Sequence, residues 1–321
     1  MGAFSVLLPV FLGLGVVLVN GFTDAPNAIA TAVCAKAISL RSACLLCGIF
    51  NLFGAFLFSV LSGQVIDTVF SIISLKNQSD AYICIISGLS TTILFGLIAW
   101  IFKMPSSESH ALLCSLLGAS FFFGGAGGIF VKCGYIIICM IFSCLLSFFL
   151  SFIIGLYVSR KSKVGNRYLV CSLCMVSLMH GAQDGQKFVG ALMFLSGFAD
   201  TSSAFFGKLP LCLLVSIFMM LGSLLGGKRI IDTLGNKTTK LNNHSALASD
   251  ASSILTMLIC SIFGLPVSTG NIRAFSIIGG GVSIKQPVNK KTAGSVFLTS
   301  ILTLPICFLL GYFIAFLISA K

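Results

Sequence analysis

The chain has 321 residues, of which 57% are hydrophobic and 9% are charged, and its 20 Lys and Arg residues outnumber its 8 Asp and Glu residues. Because soluble domains are about 25% charged, this composition excludes a water-soluble protein. It also excludes a nucleic-acid-binding protein, since the net charge of +12 is spread over apolar sequence and forms no basic patch. The chain is therefore predicted to be an all-α polytopic membrane protein, embedded in the lipid bilayer.

Ten apolar runs follow one another along the chain. A helix of about 20 apolar residues spans the hydrocarbon core of a bilayer. A membrane β-barrel would instead show alternating segments of about ten residues. The runs cover residues 4–34, 43–62, 81–102, 106–131, 134–158, 168–197, 210–226, 251–264, 266–284 and 292–320. They predict ten crossings, or 10–12 membrane segments where a run forms a re-entrant hairpin.

The loops between these runs differ in charge. Basic residues concentrate around Lys36 and Arg41 and in loops 159–167, 227–250 and 285–291. Since Lys and Arg collect in cytoplasmic loops, these loops are expected in the cytoplasm. One crossing per run then places both termini on the extracytoplasmic side of the plasma membrane.

Two motifs recur at about half the chain length. The run from Gly21 to Asp24 has a counterpart that ends at Asp184, 160 residues later, and a Pro-Ser motif at Pro105 recurs at Pro266. Each half holds five predicted crossings, so the second half should be inserted upside down. We therefore expect a first repeat at 1–158, a basic linker at 159–167 and a second, inverted-topology repeat at 168–321. Such repeats, with broken helices or re-entrant hairpins at the midplane, are typical of secondary transporters.

The first motif places a carboxylate inside an apolar run. An ionised side chain at that depth costs about 2.5–3.5 kcal/mol, so Asp24 and Asp184 should hold a cation or a proton. Thr23, Asn27 and Gln183 add hydroxyl and amide oxygens, which with carboxylates are the ligands of hard cations such as Na⁺. Gly and Pro near Asp24 also predict an unwound stretch. The alternative is a satisfied structural carboxylate.

The second motif groups small polar residues after a proline. Pro is favoured in the first turn of a helix, and Ser or Thr near it caps free N–H groups. A helix N-terminus in the membrane is an anion site, so two of them are expected to bind a tetrahedral oxyanion. The alternative is ordinary capping of a kinked helix. The candidate residues are Ser106, Ser107, Ser109, Ser268, Thr269 and Asn271.

Five further ionisable residues lie near these motifs. Lys187 follows Asp184 by three residues, which predicts an ion pair within one helix. Arg273 is a candidate for binding the oxyanion through two N–H groups or, alternatively, for reaching the headgroups. Glu108, His110 and His180 are candidates for a proton relay, and Glu108 and His110 also for charge balance; the alternative for each is a hydrogen-bonded structural role.

Together, the segments 21–28, 105–110, 180–187 and 264–271 resemble the four motifs of the inorganic phosphate transporter (PiT) family, the low-affinity phosphate permeases, in order and spacing. The resemblance implies phosphate symport with Na⁺ or H⁺, with Na⁺ bound at Asp24 and Asp184 if sodium is coupled. Lys187 stands where the family usually has Asn, and Gln186-Lys187 resembles bacterial members thought to be proton-coupled. The coupling ion is therefore left open.

Other substrates and classes are weighed on the same residues. Sulfate, another tetrahedral oxyanion or a metal-phosphate complex is the alternative substrate, and an anion channel is a weaker alternative. An enzyme is not expected, because the three histidines show no pairing with a nucleophile or with metal ligands. No cofactor is expected beyond the co-transported ion, and a homodimer is left open.

Overall fold

The computed structural model describes residues 3–72, 75, 77–102, 107–125, 128–160, 163–193, 205–225, 231 and 241–320. The regular elements in these ranges are twelve helices, as the composition predicted. They are α1 (Ala3–Thr23), α2 (Ala25–Cys34), α3 (Leu40–Leu61), α4 (Gln64–Ile72), α5 (Gln78–Ile101), α6 (Glu108–Phe122), α7 (Ile129–Val158), α8 (Asn166–Met193), α9 (Phe205–Leu225), α10 (Asn243–Ile262), α11 (Thr269–Ser283) and α12 (Lys290–Ser319).

Seven of the described helical stretches are long and apolar enough to cross a bilayer, and the protein is a multi-pass membrane protein. The stretches are Leu7–Cys34, Leu40–Leu61, Gln78–Ile101, Ile129–Val158, Lys208–Leu225, Asn243–Ile262 and Ala293–Ser319. Helix α8 has 28 residues but carries the polar second Asp motif. Helices α6 and α11 have 15 residues each, about 22 Å, which is shorter than the hydrocarbon core of about 30 Å. Ten apolar runs therefore do not amount to ten full-length apolar spans.

One described helix falls in a segment that was expected to be a loop. Helix α4 packs against α8 and buries Val65, Ile66 and Val69. These three side chains lie on one face of the helix, at positions i, i+1 and i+4. Nine residues are too few to produce an apolar run of membrane length, so the hydropathy pattern missed this helix.

The chain break at Asp24 is smaller than the unwound stretch that was expected. Helix α1 ends at Thr23 and α2 begins at Ala25, while Asp24 itself keeps right-handed helical angles (φ −102°, ψ −38°). The Asp24 amide still donates to the Asn20 carbonyl at 2.8 Å. Pro26 lies in the first turn of α2, where a missing N–H costs little. The equivalent segment around Asp184 continues unbroken through α8.

Helix lengths and packing partners repeat between the two parts of the chain. Helices α6 and α11 have equal lengths and lie 161 residues apart, as do α7 and α12, which have 30 residues each. Helix α6 packs on α12, and α11 packs on α7. The inverted orientation of the halves and the boundaries at 158 and 168 stay predictions.

Glycines set the close approach of both helix pairs. A Cβ added at Gly118 of α6 would collide with the Phe308 carbonyl oxygen of α12, and one added at Gly279 of α11 would collide with the Phe148 carbonyl oxygen of α7. In both cases the obstacle is backbone, which cannot move aside as a side chain can. The short helices are therefore held directly against the long ones.

We expect Gly118→Ala to lower the melting temperature of the purified protein in detergent, because overpacking costs about 1–3 kcal/mol. Gly134→Ala is the matched control on α7, since a Cβ there meets nothing within 4 Å. Thermal unfolding of both variants checks this expectation. Equal melting temperatures for the two variants would show that the close contact is not needed.

Candidate functional site

The two motif aspartates meet at a single hydroxyl group. Thr269 Oγ1 lies 2.9 Å from Asp24 Oδ2 and 3.1 Å from Asp184 Oδ2, and all three side chains are buried. Asp24 joins α1 to α2, Asp184 lies on α8, and Thr269 is the first residue of α11. A hydroxyl carries one hydrogen, so it donates to one carboxylate at a time. The second carboxylate needs another positive or donating group.

Asp184 is surrounded by four more polar side chains. Lys187 Nζ lies 2.7 Å from Asp184 Oδ1, which confirms the predicted ion pair. Ser109 Oγ donates to the same oxygen at 3.1 Å, and Lys187 donates to Ser109 at 3.0 Å. Asn20 Nδ2 donates to Asp184 Oδ2 at 3.2 Å, and His180 Nε2 lies 3.4 Å from that oxygen. Residues of α1, α6 and α8 thus converge on one carboxylate.

Asp24 has a neutral partner where Asp184 has a cation. Asn27 Nδ2 donates to Asp24 Oδ1 at 2.5 Å. Asn27 and Lys187 each follow their aspartate by three residues, so they occupy equivalent positions in the repeat. One ammonium group therefore faces these two buried carboxylates, and the buried Glu108 is a further carboxyl group near Asp24.

His180 offers a ligand atom to the same space. Its Nδ1 lies 3.1 Å from Asn51 Oδ1. Because an amide oxygen only accepts hydrogen bonds, Nδ1 carries a hydrogen in this contact, and Nε2 can act as a ligand atom when the ring is neutral. One ligand atom from each of Asp24, His180 and Asp184 lies within 4.8 Å of the others. The sequence made His180 a candidate for a proton relay, and its spacing of four residues from Asp184 places it on the same helix face; the relay stays a prediction.

Both short helices begin after a capping serine, as predicted, but Pro266 lies two residues before the capping Ser268 and not in the first turn of the helix, and Pro105 lies outside the described residues. Ser107 Oγ accepts from the His110 amide of α6 at 3.2 Å, and Ser268 Oγ accepts from the Asn271 amide of α11 at 3.2 Å. Ser106 lies outside the described residues. Among the described hydroxyl groups of these motifs, those of Ser109 and Thr269 donate hydrogen bonds to the aspartates.

Three predicted ligands bond elsewhere in this structure. Thr23 Oγ1 donates to the carbonyl four residues earlier in its own helix at 2.7 Å. Gln183 donates to Ser261 Oγ of α10 at 2.9 Å, and Asn271 Oδ1 accepts from Ser300 of α12 at 2.6 Å. We refer to Asp24, Asp184 and the side chains bonded to them as the ion cluster. In this structure the three side chains form their hydrogen bonds outside the ion cluster, and their roles stay predictions.

The remaining candidates are the ionisable residues of the two short helices. Glu108 and His110 are buried in the first turn of α6, and their roles also stay predictions. Arg273 of α11 is buried and pairs with Asp250 of α10 at 2.9 Å. The predicted loop at 227–250 would end at Asp250. The Asn242–Ser245 capping box starts α10 at Asn243 and would have placed Asp250 inside a helix.

The fold and the cluster define a multi-pass membrane protein with buried ionisable groups at the start of half-length helices, an arrangement common in secondary transporters. A model of the phosphate transporter family matches residues 20–167 and 157–311. The chain therefore belongs to the phosphate transporter family, and it is a transporter rather than an enzyme.

Several relatives match along almost all of the chain. A probable low-affinity inorganic phosphate transporter of Bacillus subtilis (strain 168) is 30% identical, over 96% of each protein. A protein with the same description from Rhizobium meliloti (strain 1021) is 29% identical, over 98% of this chain and 99% of its own length. A solved structure described as the sodium-dependent phosphate transporter shares the fold with a TM-score of 0.85, at 20% identity and over 99% of each chain.

We expect Thr269→Val to reduce phosphate uptake into proteoliposomes by about tenfold or more, because a hydrogen bond to a charged group contributes about 1.5–3 kcal/mol. Thr91→Val on α5 is the control, since its buried hydroxyl donates to the Ser87 carbonyl of its own helix. The measurement is the initial rate of labelled phosphate uptake. Similar losses in the two variants would contradict a role for the bridging hydroxyl.

Proposed function

We propose that the protein is a symporter that couples inorganic phosphate uptake across the plasma membrane to a cation or proton gradient. The observation that carries this proposal is the Thr269 hydroxyl shared by Asp24 and Asp184. A single lysine faces the two buried carboxylates, and buried Glu108 adds a further carboxyl group near Asp24, so a bound cation or proton would offset the negative charge that Lys187 leaves. Conformational change at Asp24 and Asp184 would therefore be coupled to the binding and release of an ion.

The proposed phosphate site lies between the N-termini of α6 and α11. Ser109 and Thr269 belong to the first turns of these helices and already touch the ion cluster. Backbone N–H groups and the positive end of each helix favour an oxyanion there, and we propose the motif residues Ser106, Ser107, Ser268 and Asn271 as further ligands. A cation and an anion bound so close together stabilise each other, and this reciprocal gain in affinity is what coupling requires.

The proposed architecture supports alternating access. We place residues 1–158 and 168–321 as two inverted repeats, joined by a cytoplasmic linker at 159–167, with both termini outside the cell. The matching lengths of α6 and α11 and of α7 and α12 support the repeat. Rocking of one repeat against the other would expose the cluster to each side in turn.

The choice of coupling ion rests on two observations that point in different directions. The shared fold with a sodium-dependent phosphate transporter favours Na⁺. Lys187 favours H⁺, because it places a fixed positive charge where the first half has the neutral Asn27. Phosphate is favoured over sulfate because the relatives are described as phosphate transporters.

Proteoliposomes with an imposed Na⁺ or H⁺ gradient test the proposal. Labelled phosphate should accumulate under one of these gradients. Asp24→Asn should reduce accumulation to the level of protein-free vesicles, because a neutral amide lacks the negative charge that the coupled cation or proton neutralises. Gel filtration checks that the variant remains folded, and excess sulfate in the assay tests the alternative substrate. Full accumulation by Asp24→Asn would rule out the coupling role.

Replacing Lys187 should change how many cations the cluster needs. In Lys187→Asn the carboxylate of Asp184 loses its fixed positive partner, so a second cation is needed to neutralise it. We therefore expect uptake to rise more steeply with cation concentration than in the wild type. Lys208→Asn on α9 serves as the control, since Lys208 lies outside the cluster and is partly exposed. An unchanged cation dependence in Lys187→Asn would contradict the proposed charge balance.

A further inference from the structure

A second buried ionic group lies beside the ion cluster, and its centre is the carboxylate of Asp250. Asp250 Oδ1 accepts from Thr31 Oγ1 at 2.7 Å and lies 2.9 Å from Arg273 Nη1. Asp250 Oδ2 accepts from Ser172 Oγ at 2.5 Å. All four side chains are buried. A guanidinium group and two hydroxyls, contributed by α2, α8 and α11, form the donor set that suits an oxyanion such as phosphate.

The guanidinium group is held in place by atoms other than Asp250. Arg273 Nε donates to the Asn27 carbonyl at 3.0 Å, Nη1 donates to Ser253 Oγ at 3.1 Å, and Nη2 donates to Thr31 Oγ1 at 3.0 Å. Asn27 also donates to Asp24 through its side chain. The donor set is therefore preorganised, and one residue connects it to the ion cluster.

The position of this group along the helices places it between the ion cluster and an opening. A cavity of about 520 Å³ lies where α2 ends and where α8 and α10 begin, and Lys36 and Lys163 line it. On α2, Thr31 lies seven residues beyond Asp24, about 10 Å toward this cavity. On α8, Ser172 lies between the cavity-lining Gly165 and the cluster at Asp184. Both helices thus pass the Asp250 group on the way from the cavity to the cluster.

We propose that Arg273, Thr31 and Ser172 form a second oxyanion site on the phosphate path, which the carboxylate of Asp250 fills in the state seen here. The proposal rests on the proposed phosphate transport. When phosphate passes between the cluster and the basic cavity, it displaces the carboxylate and takes over its donors. When phosphate leaves, Asp250 returns, so Arg273 keeps an anionic partner in the low-dielectric interior throughout.

Binding of labelled phosphate to purified protein in sodium-free buffer tests this proposal. Asp250→Ala removes the carboxylate and opens its space, so we expect it to gain phosphate binding of about one per chain that the wild type lacks. Asp250→Asn is the matched control, because it removes the charge but fills the space, and it should gain at most a tenth of that binding. The gained site should persist when Asp24→Asn is added and disappear when Arg273→Gln is added.

Stability provides a second measurement on the same variants. Phosphate should raise the melting temperature of Asp250→Ala more than that of the wild type, since the anion restores a partner to Arg273. If Asp250→Ala does not yield folded protein, Asp250→Ser keeps a polar group at the position and should show the same gain. A folded Ala or Ser variant without added phosphate binding would overturn the proposal. Added binding that survives Arg273→Gln would do so as well.

These results are independent of ion-driven transport. The binding is measured without a gradient and in the presence of Asp24→Asn, so a wild type that fails to couple uptake to a cation leaves the binding prediction intact. Conversely, the absence of the second site leaves the role of the ion cluster unaffected.

Discussion

The contact of two buried carboxylates with one hydroxyl is the interaction on which the site depends. A charged and unpaired carboxylate is costly there, because burial removes most of the water that would solvate it. Lys187 compensates Asp184, Asn27 supplies only a neutral donor to Asp24, and Thr269 has one hydrogen for both. In the proposed function, a bound cation or proton offsets the negative charge that remains.

The packing of the helices brings this cluster together. Thr269 and Ser109 reach the aspartates because α6 and α11 begin inside the bundle, and these short helices are fixed by glycine contacts with α12 and α7. The same geometry places helix N-termini near the carboxylates, so the proposed cation site and the proposed anion site adjoin. The Asp250–Arg273 pair extends the polar interior from this junction toward the basic cavity.

Much of this arrangement could be read from the sequence, because it follows from spacing along the chain. The three-residue step from Asp184 to Lys187 and the serine before each short helix predicted an ion pair and two caps, and both are present. Contacts between distant elements were harder to predict. The sequence does not show that Gln183 faces α10, or that Asp250 meets Arg273, because helix rotation decides both. Helix α4 was missed because nine residues leave no membrane-length signal.

The contrast between net uptake and exchange tests whether Asp24 couples phosphate movement to the ion. An amide at position 24 imitates an aspartate whose charge is permanently neutralised, as if its ion never left. Asp24→Asn should therefore carry phosphate in both directions, but it should not return without phosphate, because a symporter loaded with the ion alone does not reorient. In proteoliposomes loaded with phosphate, this variant should retain exchange of labelled for unlabelled phosphate, although it does not accumulate phosphate under an ion gradient. A folded variant that loses both exchange and accumulation would contradict the assignment of Asp24 to the coupling site. A variant that keeps both activities would contradict it as well.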